Sequence, residues 1–135
     1  MSYDAIRAAL ETQLNAFAVA QELPVAFENG DYRPSEGEEF LQTFLLVGQP
    51  SAESIGTNGV ERLNGLYQIN INSHRNVGSG VAFRRADEIA AEFPAGAELA
   101  HDGVTVSVAR SWPSPAILRG DWFVVPVSVS WFAYI

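Results

Sequence analysis

Residues 65–93 read "GLYQININSHRNVGSGVAFRRADEIAAEF". The period of the apolar residues changes within this stretch. Tyr67, Ile69 and Ile71 alternate with Gln68, Asn70 and Asn72, so residues 66–72 form a strand with the first three toward a core and the others facing out. After Gly78 and Gly80 the spacing becomes helical. Ala82, Phe83, Ala86, Ile89, Ala90 and Phe93 make an apolar stripe, opposite Arg84, Arg85, Asp87, Glu88 and Glu92. Pro94 and Gly96 stop the helix. Ser79 is its expected N-cap, and Arg84 pairs with Glu88 one turn on. Phe83, Ile89 and Phe93 are expected to be buried, and Arg85 and Glu92 exposed.

Working outward, Ile6, Leu10, Leu14 and Phe17 give residues 3–19 a helical face. Ser2 is the natural cap, and Asp4 lies where the helix dipole favours an anion. "PVAFEN" makes a short strand, and "GDYRPSEGEE" a loop. "FLQTFLLV", residues 40–47, is apolar on both alternating sides, with Phe40, Phe44 and Leu46 opposite Leu41, Leu45 and Val47. That pattern predicts a strand covered on both faces. Residues 48–59 form a long polar loop. Asn64-Gly65 is either a hairpin turn or, preferably, a bulge in one longer strand, because "VERL" is short for a strand of its own. "AELAHDGVTVSVAR" is a hairpin turning at Asp102-Gly103. In "DWFVVPVSVSWFAYI", Phe123, Val125, Val127, Val129 and Trp131 alternate with Val124, Pro126, Ser128, Ser130 and Phe132. Pro126 lacks a ladder donor and argues for an edge strand or a bulge.

The order α-β-β-β-α-β-β-β predicts a single α+β domain over residues 1–135. A mostly antiparallel, mixed sheet carries both helices. Apolar residues at 47% and charged residues at 18% exclude a disordered chain. The absence of cysteine excludes disulfides, thiolate metal sites and a cysteine nucleophile. No apolar run spans a bilayer, and the start lacks the features of a secretion signal, so a soluble protein made in the cytosol is expected. Sixteen acids against eight bases, all of them arginine, give −8. Such a chain is not expected to bind nucleic acid through its phosphates.

The two glycines before the second helix raise the question of phosphate binding. The dinucleotide fingerprint needs a third glycine where Phe83 stands, and the phosphate loop needs a lysine, which the chain lacks. His74 and His101 have no partner at metal-ligand spacing, and no G-x-S-x-G elbow is present. Glu36, Glu38 and Glu39 do not have the spacing of an EF-hand loop. No catalytic site, cofactor or metal is expected.

The anomaly is aromatic. Trp112, Trp122, Trp131, Phe132 and Tyr134 crowd the last quarter of the chain. If Trp131 faces the core, Phe132 faces the other side of the sheet. Either one helix lies on each face, or the outer face is buried against another subunit. The second reading makes the C-terminal strand, with Trp131, Phe132 and Tyr134, an open sheet edge at a subunit interface. Glu36, Glu38 and Glu39 would then oppose Arg110 or Arg119 of a neighbour.

The opening "MSYDAIRAALETQLNAF", the strand "GLYQINI", the glycine turn, and "ADEIAAEF" followed by "GVTV" resemble the phage tail terminator-like family over nearly the whole chain. The resemblance implies a non-enzymatic virion protein, made in the host cytoplasm and ending in the virion tail. It implies a ring, a hexamer in the family's better-known relatives, that caps the tail tube, stops its growth and meets the head–neck connector. DNA would pass through such a ring without specific binding, and no membrane is involved. The rival readings are another neck or minor tail joining protein, and a small ligand-binding domain encoded in a prophage.

Overall fold

Two helices lie against the same face of one curled sheet, and that choice organises the molecule. The computed structural model describes residues 3–30, 32–34, 38–52, 59–76 and 78–135. Helix α1 is Tyr3–Ala20 and α2 is Gly80–Glu92. The strands are β1 Val25–Ala26, β2 Phe40–Val47, β3 Ser51–Ala52, β4 Glu61–His74, β5 Glu98–His101, β6 Val104–Pro113, β7 Ile117–Arg119 and β8 Trp122–Tyr134. The sheet runs β1-β2-β4-β8-β6-β5, with β3 added to β4 and β7 to β8. Among the described residues only β1–β2 is parallel. The result is the expected α+β domain with a mixed sheet, with β1, β3 and β7 as short additions.

The core lies between the helices and the odd-numbered residues of β4 and β8. Ile6, Leu10, Leu14, Ile89 and Phe93 meet Tyr67, Ile69, Ile71, Val125, Val127, Val129 and Trp131 in one cluster. The alternation of residues 66–72 therefore sets the core face as expected. Asp102-Gly103 turns the β5–β6 hairpin with φ of 48° and 78°, the left-handed pair that a two-residue hairpin loop requires.

Several expectations are corrected. Asn70 and Asn72 do face away from the helices, but they are buried. The Asn72 amide donates to Gln42 Oε1, and Gln68 donates to Asn70 Oδ1 at 2.8 Å, so the buried amides have partners. Residues 40–47 are covered at one end only: Phe40 and Leu41 are buried, while Leu46 and Val47 are exposed.

Asn64-Gly65 makes neither turn nor bulge. The strand runs through it in unbroken register, Gly65 opposite Val47 on one side and Trp131 on the other. The bulge lies instead in β6, between Val108 and Arg110. Pro126 is in a central strand, not at an edge. Its carbonyl accepts from Ser114 N–H at 2.8 Å, so its nitrogen faces the gap where the neighbouring chain passes from β6 to β7, outside the ladder.

On α2, Ile89 and Phe93 are buried but Phe83 is 38% exposed. Glu92 is half-buried. Ser79 makes no side-chain cap bond. Arg85, not Arg84, pairs with Glu88, at 3.0 Å, and it also reaches Glu39 at 3.1 Å. The stripe is narrower than the sequence suggests, because Ala82 and Ala86 let α2 lie close to the sheet and leave Phe83 at the flank. The proposed cap at Ser2 lies outside the described residues.

Candidate interaction face

Both helices occupy one side of the sheet, so among the described residues no helix covers the other side. Cross-strand register defines its rows: Phe44, Gln68, Ser128 and Trp112 form one, and Leu46, Leu66, Ser130 and Arg110 the next. Beyond them Asn64, Phe132 and Ser107 align, then Arg62 and Tyr134. Toward the other end this face is closed by Phe40, Trp122 and Tyr32, whose rings pack together. Toward Phe132 it is open: Tyr134 is 55% exposed and Leu46 45%.

Strand alternation separates neighbouring aromatics. Trp131 points to the core and is 1% exposed. Its place is under the sheet, not on a surface. Phe132 and Tyr134 come together on the open face with ring centroids 5.8 Å apart. The Arg62 guanidinium lies 4.7 Å above Phe132, and that of Arg110 lies 5.5 Å from Trp112. Arg62 escapes a reading of sequence motifs, since only the register brings it to Phe132.

The acidic group is not gathered with these residues. Glu39 is engaged by Arg85 within the chain. Glu38 accepts a hydrogen bond from the Tyr32 hydroxyl. Burial, with that carboxylate adding to it, pushes the Tyr32 hydroxyl up to about 12. Glu36 lies outside the described residues. Arg119 is exposed on β7, in the row of Trp122 and remote from Arg110.

The C-terminal strand is not the open edge: β8 is flanked by β4 on one side and by β6 and β7 on the other. The open edges belong to β2 and β6. Beyond β1, residues 43–47 of β2 have no outer strand among the described residues, and beyond β5 the same holds for residues 110–113 of β6. Both edges are blunted. The Glu28 carboxylate accepts from Leu45 N–H at 2.9 Å, and Pro113 has no N–H to offer. Among the described residues no group of histidines and acids is placed to hold a metal ion, and no helix is long and apolar enough to cross a membrane.

Residues 5–131 match the family model described as phage tail terminator protein. Six chains of solved structures are similar. One of them has a TM-score of 0.81 and 26% identity, covering 98% of this chain and 96% of its own. A search of curated proteins found no match.

Proposed function

This chain belongs to the phage tail terminator family, a family of tail structural proteins, and on that premise we propose that copies of it close into a ring that caps the tail tube. The ring ends tube polymerisation and presents a joining surface to the head–neck connector. Its partners are other copies of itself, six in all, the tail tube protein and the connector. It forms in the host cytoplasm and stays in the virion tail. It carries no catalytic site.

The observation that supports a ring is the placement of the two open edges. They lie in the same rows, with Phe44 and Leu46 at one end and Trp112 and Arg110 at the other. The four long strands alternate in direction, so β6 of one copy laid beside β2 of the next continues the antiparallel pattern without inverting a subunit. This is a heterologous contact, the kind that closes into rings. Trp112 and Arg110 of one copy and Phe44 and Leu46 of the next meet at the seam, and the blunting by Glu28 and Pro113 limits pairing with other strands. Arg119, exposed on β7, and Glu38 are rim contacts, where charge steers assembly more than it strengthens it.

Val47→Pro tests the seam. Leu41 N–H bonds to Pro24 on the outer side while Gly48 N–H bonds inward to Asn64, so odd-numbered residues of β2 point their amides outward. The substitution therefore removes an outward donor and leaves the inner ladder intact. Native mass spectrometry should find rings for the unaltered chain and folded monomers for the variant. Rings formed equally well by Val47→Pro would remove β2 from the contact.

A further inference from the structure

We propose that the helix-free face, at the groove between the ends of β2 and β4, docks an extended, carboxylate-bearing segment of a partner protein. The groove measures about 450 Å³ and is lined by Leu46, Leu66, Ser130, Arg62 and Asn64, among others. That volume suits a few side chains.

Two observations fix the chemistry of the occupant. The first is charge. The chain holds twice as many acids as bases, yet on this face no Asp or Glu occupies a paired position of β2, β4, β6, β7 or β8. The nearest acid in the rows is Glu98 on β5, in the row of Ser107. Arg62 and Arg110 are stacked on aromatic rings and make no ion pair among the described residues. A guanidinium held over a ring keeps its fork of donors for a carboxylate.

The second is composition. Aromatic residues and arginine with acids excluded is the makeup of a protein–protein interface centre.

Alternative occupants fit less well. A second copy packed face to face would set Arg62 and Arg110 against the same arginines. Nucleic acid would meet a chain of net charge −8. An extended peptide satisfies both features: a carboxylate on Arg62 and an apolar side chain on Leu46 and Leu66. Leu46 also stands at the β2 edge, so the peptide assay reads docking separately from ring assembly, which Val47→Pro tests.

The probes are a short, capped, dye-labelled peptide alternating Glu and Val, the same peptide with Lys for Glu, and a short oligo-dT, followed by fluorescence anisotropy at low salt. The Glu peptide should bind, weaken as salt rises, and lose affinity about tenfold or more in Arg62→Glu. The Lys peptide should not bind. Arg62→Gln, which keeps a polar side chain, should show an intermediate loss and serves if Arg62→Glu fails to fold by circular dichroism. No binding of the Glu peptide up to about millimolar concentration, affinity unchanged in both variants, or tighter binding of oligo-dT would each overturn the proposal.

Discussion

Gly65→Ala is expected to be among the most damaging single-atom additions to this chain. Gly65 pairs with Val47 on one side and with Trp131 on the other. A Cβ there would collide with the carbonyl oxygen of Leu46 and stand 2.8 Å from Trp131 Cζ2. The indole is fully buried and cannot swing away, and the carbonyl belongs to the β2 backbone. Overpacking of this kind costs about 1–3 kcal/mol, and two fixed obstacles place it near 3. For a domain of this size that lowers Tm by about 10 °C. Gly80→Ala is the control, because a Cβ at Gly80 meets nothing within 4 Å, and alanine there should hold stability within about 1 kcal/mol or raise it. Thermal and urea unfolding of the two variants measure the difference. A Gly65→Ala protein as stable as its parent would refute the close approach of β2, β4 and Trp131.

Phe93→Ala should cost about 3–5 kcal/mol in urea unfolding, since the ring is fully buried, whereas Phe83→Ala should cost less than about 1 kcal/mol; equal costs would mean that α2 is rotated. Raising the pH should destabilise the fold between about 10 and 12. The Tyr32 hydroxyl ionises near its ordinary value of 10.0 when unfolded but near 12 when folded, so the folded state holds the extra proton across that window and stability falls as pH rises. Burial shifts Tyr67 in the same direction. The slope should shrink in Tyr32→Phe, and an unchanged slope would separate Tyr32 from the effect. Trp112→Asp, at the open end of β6, should leave a folded monomer that fails to form rings; rings formed as readily as by the unaltered chain would remove β6 from the contact.

Much of this fold was legible in local pattern. The strict alternation at Tyr67, Ile69 and Ile71, the helical stripe of Ala82, Ala86, Ile89 and Phe93, and the Asp102-Gly103 turn each report a short-range constraint, and short-range constraints are what periodicity records. What depends on neighbours distant in sequence was not legible. Pro126 looks like an edge residue until the β6–β7 connection is seen beside it. Gly65 looks like a bulge until Trp131 is seen beneath it. The blunted β2 edge depends on Glu28, distant in sequence from Leu45, and the stacking of Arg62 on Phe132 depends on the β4–β8 register. The interaction face was half legible: alternation places Phe132 opposite Trp131, but no local signal shows that both helices choose the same side.

The proposed termination role is tested most directly by tail length. Virions assembled without this protein, viewed by negative-stain electron microscopy, should carry tubes of variable and excessive length, with heads unattached. Tails of normal, uniform length that are merely detached from heads would contradict termination and assign the protein a joining role instead.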